Sequence, residues 1–354
     1  GGASFGGSIG AIAGTLAIFI IYLSKKGEIN REIEKSKFVE EETTGKIIKN
    51  LLAIAIPITI GASIAPIMDT IDAAIVMKRL QFVGFSEFEA NDLYGQLKGL
   101  AQTLINLPQV FSMALAISLV PAISEAHARK QYGEIRSIIS SGVRVTLLIG
   151  LPAAFGLFVL AKPIIRLLYF KNTVEALNST GEILMYLSFG VIFLTLVQSL
   201  TAILQGIGRP IVPVRNLAIG AAVKVVLAYV LTGIPSINVK GSAISTVAAY
   251  MIASILDLIG VKKYTKVKFN MGEVFIRPFI SALGMAVIVK VSHILFYSLI
   301  GDKLATIIAI FIGMITYFLL LMRTGSLTYE DFKLLPKGEK IAKTLVKLKL
   351  LRIS

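Results

Sequence analysis

Two aspartates three residues apart, Asp69 and Asp72, stand inside an apolar stretch, and that spacing puts them on one face if the stretch is helical. An ionised side chain in the middle of a bilayer costs at least about 2.5–3.5 kcal/mol unless it meets water or a partner. Carboxylates placed there can bind a coupling cation such as Na+, take up H+, or pair with a cation from elsewhere in the fold. Pro66, one turn earlier, leaves a backbone carbonyl without its helical donor, a further oxygen for a hard cation. Lys224 (in AIGAAV-K-VVLAYVL) and Lys290 (in GMAVIV-K-VSHILF) are embedded as deeply, and an ammonium is a point charge for an anion. A fourth run carries Gln102, Thr103, Asn106 and, after Pro108, Gln109, which offer amide donors and acceptors. Each also has a plainer explanation: the acids can cap a helix end, lysines can snorkel, and amides can join helices. Asp257 reads as marking the end of its run, and His293, one turn from Lys290, as a polar contact between helices or a proton relay.

The elements that must position these groups are membrane spans. Hydrophobic residues make up 55% of the 354, charged residues only 16%, and mean hydropathy is +0.79, a composition that would leave large apolar patches uncovered in water. The net charge of +15 sits between the apolar runs, where it orients helices and meets anionic headgroups, so nucleic acid is not an expected partner. With no cysteine and two histidines, Cys-based metal sites and disulfides are excluded, and no metal or cofactor is expected beyond a coupling Na+ or H+.

Nine runs are long enough to cross the hydrocarbon core as helices: residues 3–23, 48–77, 100–123, 143–160, 183–205, 217–234, 242–261, 278–300 and 304–321. Their connections alternate between rich and poor in Lys and Arg. The rich set includes Lys25, Lys26, Arg129, Lys130, Arg209, Lys262, Lys263 and a tail from Arg323 to Arg352; the poor set includes Lys78, Arg79, Lys98, Lys162, Arg166, Lys240 and Lys303. The positive-inside rule makes the first set cytoplasmic, with Gly1 outside and the C-terminus inside a multi-pass cell-membrane protein. Residues 78–99 form the longest outer loop in this reading, and residues 124–140 a helix lying along the inner interface.

The opening Gly2-Ala3-Ser4-Phe5-Gly6, closed by Lys25-Lys26, is echoed by Gly241-Ser242-Ala243-Ile244-Ser245, closed by Lys262-Lys263, which suggests a six-helix repeat. Three stretches then carry a resemblance: EANDLYGQLKGLAQTLINLPQVFSMALAISLVPAISEA at residues 89–126, Asp69-Thr70-Ile71-Asp72 with Lys78-Arg79-Leu80, and LQGIGRPIVP at residues 204–213. They resemble the stage V sporulation protein B and polysaccharide-biosynthesis membrane proteins, relatives of the MurJ-type lipid II flippases in the multidrug/oligosaccharidyl-lipid/polysaccharide exporter superfamily. The resemblance implies an all-α fold of fourteen spans, two six-helix lobes and two more, around a cavity that alternates between membrane faces. On that plan residues 1–23 are the last helix of the N-terminal lobe, 24–47 a cytoplasmic linker, 48–262 the C-terminal lobe, 263–323 two additional spans and 324–354 a basic cytoplasmic tail. Five earlier helices of the N-terminal lobe would then be partners in the same protein.

Such a protein makes no covalent bond. It would give the polar headgroup of a lipid-linked oligosaccharide or peptidoglycan precursor a wet path across the bilayer. Polar residues inside the spans are then the candidates: Lys224, Lys290, Gln102, Asn106 and Gln109 for substrate contacts, and Asp69 and Asp72 for ion coupling. In lipid II flippases the positions matching Gln102, Thr103 and Asn106 are charged; their neutrality here points toward the broader sporulation and polysaccharide branch. A multidrug or toxin cation antiporter of the same architecture is the alternative, although it would be expected to line its cavity with aromatic rings and this chain has no Trp. A polytopic cell-wall enzyme fits less well, because Glu87, Glu89 and Asp92 make no convincing acid/base set. The topology predicts that single cysteines at Ser86 and Ser179 react with an impermeant thiol reagent in intact cells and that ones at Ser36 and Ser326 do not. The reverse labelling pattern would invert the orientation.

Overall fold

The computed structural model describes residues 2–35 and 43–326, and among these there are helices and no strands. The chain divides into two compact units, Gly1–Ala53 and Ile54–Ser354. The first holds α1 (Gly2–Lys35) and the start of α2 (Thr44–Phe82). The second holds the remainder of α2 with α3 (Glu87–Gly95), α4 (Gln102–Ala128), α5 (Tyr132–Val159), α6 (Ala161–Leu168), α7 (Val174–Ser188), α8 (Gly190–Gly206), α9 (Ile211–Thr232), α10 (Lys240–Thr265), α11 (Arg277–Ile300) and α12 (Asp302–Thr324).

Seven helices among the described residues are long and apolar enough to cross a membrane, or eight if α7 and α8, bent by 43° at Phe189, count as one broken span. The expected run 3–23 is helical within α1 and is not one of these. The apolar residues Ile117, Val226, Leu295 and Ile315 are exposed on α4, α9, α11 and α12, which suits lipid and not water.

Two expectations about connections are corrected. Residues 78–99 are not a loop. α2 runs on to Phe82, and after a short turn Ser86 caps α3 with a reciprocal bond to Glu89, the side chain and backbone each satisfying the other's free donor. α3 then joins α4 through a π-helical turn, Gln96–Ala101, making one continuous 42-residue span, Glu87–Ala128. Nor do residues 124–140 form an interfacial helix: α4 ends at Ala128 and α5 begins at Tyr132, so the basic stretch is a tight turn between two spans. The expected tail beyond Ser326 and residues 36–42 of the expected linker lie outside the described residues. Ser36 is among them, and Ser326 is buried, 2.6 Å from the Thr324 hydroxyl, so exposed Gln131 is the better labelling position for that face.

Charged residues of the connections meet near the helix ends. Glu182 bridges Lys162 (3.1 Å) and Lys240 (3.4 Å), and Asp302 meets Arg166 (3.6 Å), all from the poorly basic set of connections. At the other end Arg136 donates to the Thr265 carbonyl (3.2 Å), and Arg209 lies 5.1 Å from the Tyr264 ring centre.

Inside, helices meet through small residues and sparse polar contacts. The hydroxyls of Thr146 on α5 and Ser199 on α8 are 2.6 Å apart, and Tyr317 of α12 donates to the Leu148 carbonyl of α5 at 3.0 Å. The α9–α10 seam is tight at Gly220, where an added Cβ would sit 2.6 Å from the Ala249 carbonyl oxygen, and again at Gly241, where one would sit 2.6 Å from the Leu231 and Thr232 backbone. α2 is held to α9 by Arg79, whose guanidinium donates to the Tyr229 carbonyl (2.9 Å) and lies over the rings of Phe82 and Tyr229. Gly220→Val is predicted to prise α9 from α10 and cost about 1–3 kcal/mol through overpacking. Thermal unfolding of the solubilised protein should show a lowered midpoint, and an unchanged one would mean the seam can relax.

Candidate functional site

The polar residues of the second unit converge on one buried carboxylate. On α2, Asp72, Val76 and Leu80 recur every four residues and are all buried, so the helix turns one narrow stripe inward, with Asp72 as its polar member. Asp72 Oδ2 pairs with Lys224 Nζ of α9 at 3.1 Å and with Lys98 Nζ at 3.2 Å, and Ser242 Oγ of α10 donates to Oδ1 at 3.2 Å. Lys98 reaches further, to Asp69 Oδ1 at 2.6 Å. Asp69 lies one turn before Asp72 but is 65% exposed, against 1% for the Asp72 side chain. Four helical segments therefore meet at two acids and two amines whose formal charges cancel.

This cluster borders a cavity of about 450 Å³. One wall is α4 with the π-helical turn before it, where Lys98, Gln102, Asn106 and Gln109 follow at spacings of four, four and three and face the opening; Gln102 Nε2 donates weakly to Asn106 Oδ1 at 3.4 Å. Opposite stand Lys224 of α9 with Thr246 and Tyr250 of α10. Met68 and Ile64 extend the α2 side beside Asp69. The cavity thus offers amides and hydroxyls around a neutralised charge cluster, within a bundle whose outer surface is apolar.

Of the residues singled out in the sequence, the structure brings Asp69, Asp72, Lys224, Gln102, Asn106 and Gln109 together at or beside this cavity. Lys290 does not join them. It is exposed on α11, whose packed face is formed by Ser281, Ala282, Met285, Ala286, Val289 and His293, and it falls off that face. His293 lies between helices: its Nε2 is 3.2 Å from Asp302 Oδ1 and 3.3 Å from the Thr306 hydroxyl. Asp257, expected at an interface, is instead fully buried between α9 and α10, with its carboxylate accepting from Asn216 at 2.8 Å. Asp72 does not stand open to a free cation, because ammonium groups already occupy the positions around it, whereas Asp69 is largely exposed. α2 continues helical through Pro66, so the carbonyl left without its helical donor is that of Ala62, four residues earlier, while the Pro66 carbonyl accepts from Thr70 Oγ1 (3.1 Å). Among the described residues, no group of three or more His, Asp or Glu side chains is arranged to hold a metal ion.

Lys98 and Ser242 are the members that sequence reading missed. In the sequence Lys98 reads as part of an outer loop, because the charges at Glu87, Glu89, Asp92 and Lys98 depress the local hydropathy. Its register was nevertheless visible, four residues before Gln102 on the stripe that continues to Gln109. The wide π-turn lets that stripe extend past the apolar core of the span without breaking the helix. Ser242 had no signal of its own among the small residues of α10.

A family model described as "Lipid II flippase MurJ" matches residues 2–324 of the chain. Stage V sporulation protein B of Bacillus subtilis (strain 168) is 28% identical over 81% of this chain and 53% of its own length. Lipid II flippase MurJ of the same organism is 24% identical over 75% of this chain and 48% of its own length, so the chain spans about half of each relative. Among solved structures, lipid II flippase MurJ in an inward closed conformation shares the fold, with a TM-score of 0.53 at 18% identity, covering 83% of this chain and 57% of that one. Nearly the whole described length thus falls under one family model, and its helices follow the fold of that family's solved member: the chain belongs to the lipid II flippase MurJ family.

Proposed function

We propose that this chain forms part of a flippase that carries a lipid-linked oligosaccharide or peptidoglycan precursor across the cell membrane. The observation that carries the reading is the cavity lined by Lys98, Gln102, Asn106, Gln109, Lys224, Thr246 and Tyr250, a polar recess inside a bundle whose exterior is built for lipid. Membership of the MurJ family supports it. The task needs no covalent step. Sugar hydroxyls exchange water for the amides of Gln102, Asn106 and Gln109, and the lipid tail stays in hydrocarbon.

The headgroup phosphate is drawn to ammonium groups already held by carboxylates. Lys98 is the more available of the two, because its shortest contact is with exposed Asp69, while Lys224 is 8% exposed and committed to Asp72. A phosphate therefore displaces Asp69 from Lys98 first. A proton or cation arriving at Asp69 eases that exchange by neutralising the competitor, which gives the pair a role in coupling. The basic end of the bundle, with Arg129, Arg209 and Lys262, is placed at the cytoplasmic face and the C-terminus with it. The segments that complete the two-lobe plan would supply the other wall of the path.

Glutamine replacement removes each ammonium while keeping much of its length. In vesicles carrying the intact protein and a fluorescent polyprenyl-linked sugar, Lys98→Gln and Lys224→Gln should each lower translocation at least tenfold at unchanged expression. Lys98→Arg should restore part of it, and Lys290→Gln should change little. Full transport with both Lys98 and Lys224 replaced would remove these amines from the mechanism. Asp69→Asn is expected to weaken the dependence of transport on ion gradient or membrane potential while the protein stays folded. Asp72→Asn should instead destabilise the bundle by about 3–5 kcal/mol, because it strands the buried Lys224. If Asp72→Asn melts like the wild type and Asp69→Asn keeps full gradient dependence, this assignment of roles fails.

A further inference from the structure

The α9–α10 seam carries buried charge in two places, and only one belongs to the cavity. Beyond the Asp72–Lys224 pair, on the other side of Gly220, lies Asp257, 1% exposed and facing Asn216, itself 2% exposed. Asn216 Nδ2 donates to Asp257 Oδ1 at 2.8 Å, and Arg215 Nη2 reaches Asn216 Oδ1 at 3.5 Å. Asn216 and Lys224 are eight residues apart, about 12 Å along α9. Between them the Gly220 backbone presses on the Ala249 carbonyl, and Ala253 packs alongside. The two carboxylates therefore sit on opposite sides of a close helix contact.

Asp72 has two ammonium groups and a hydroxyl; Asp257 has one neutral amide. Among the described residues no Lys, Arg or His comes within ion-pair distance of Asp257. The packed elements explain why. α8, which lies along α10, carries no Asp, Glu, Lys, Arg or His. α9 contributes Arg215, which acts through Asn216, and Lys224, which is held by Asp72. α7 contributes Glu175, Glu182 and Tyr186, toward the end where Glu182 meets Lys162 and Lys240. α5 contributes Arg136, bonded to the Thr265 carbonyl, and Arg144, buried in that helix, together with Tyr132 and Glu134 in its first turn. On α10 itself Lys262, Lys263 and Tyr264 follow more than a turn later, and Tyr250 lines the cavity across the contact.

A carboxylate in an apolar interior is costly unless a cation meets it, and a proton removes that cost. We propose that Asp257 is a proton-binding site of this protein. The carboxyl holds a proton while α9 and α10 are closed over it, and it releases that proton to water when the seam parts toward the end carrying Arg209, Lys262 and Lys263. The carboxylate left behind stays hydrogen-bonded to Asn216, whose amide is polarised by Arg215. The proposal deepens the transport reading by naming a proton as a coupled ion. Proton binding itself is measurable without transport, so the two can fail separately.

Infrared difference titration of the intact protein in lipid nanodiscs tests it. One protonated-carboxyl band should titrate in the wild type, disappear in Asp257→Asn and return at a shifted frequency in Asp257→Glu. Asn216→Leu removes the donor that stabilises the ionised form, so the midpoint of that band should move to higher pH; a residue with only a packing role would leave it unmoved. Should Asp257→Asn fail to fold, the Asn216→Leu midpoint decides. Retention of every titrating carboxyl band in Asp257→Asn, or a wild-type midpoint in Asn216→Leu, overturns the proposal. A wild-type protein that shows the Asp257 band yet moves no lipid-linked sugar would overturn the flippase reading and leave the proton site standing.

Discussion

A carboxylate cannot be stored in the interior of a lipid-embedded bundle without cations around it, and the second unit is organised around that requirement at Asp72. Its partners come from the π-turn before α4, from α9 and from α10, and Ser242 is 170 residues away in sequence. The inward stripe of α2 is narrow, with Val76 and Leu80 as its fully buried apolar members near Asp72. The position of α2 against its neighbours thus depends on this ionic junction and on Arg79, which clasps the α9 backbone two turns further on. Apolar packing alone gives little preference between neighbouring helices when lipid is just as apolar.

The same junction shapes what the cavity can recognise. Because each ammonium already faces a carboxylate, the recess has no strong net field, and it presents amides, a hydroxyl and a phenol to whatever enters. An anion must win a lysine from an aspartate, so its binding is an exchange whose cost depends on the exposure of the acid it displaces. Asp69 and Asp72 differ most in that respect: the first is largely in the open, and the second is sealed. Two acids one turn apart therefore stand in different surroundings, one exposed and one enclosed.

Close helix contact is the complementary constraint. At Gly220 the α9 backbone meets the Ala249 carbonyl of α10 closely, and the buried carboxylates Asp72 and Asp257 meet α9 on either side of that contact, at Lys224 and at Asn216. Hydroxyls elsewhere are spent internally: Thr246 donates to the Ser242 carbonyl, and Thr146 pairs with Ser199. Polar atoms that reach the cavity are few, which makes each of them informative.

The sequence by itself determined the class of molecule, the helices, the alternation of basic connections and the inventory of intramembrane polar residues. Those follow from local chemistry: a backbone in hydrocarbon must bond to itself, and charges there are rare enough to be counted. Asp69, Asp72, Lys224 and the Gln102–Gln109 stripe were legible for that reason. Which face of each helix turns inward was decided only in the tertiary structure. Lys224 and Lys290 stand in nearly the same apolar context, yet one is buried against Asp72 and the other is exposed on α11. A soluble helix announces its buried side by periodic hydrophobicity, whereas a span that is apolar all round carries no such mark. Its orientation is set by contacts with distant segments, and so the pairing of Asp72 with Lys98, the register supplied by the π-turn and the burial of Asp257 appear only once the helices are packed together.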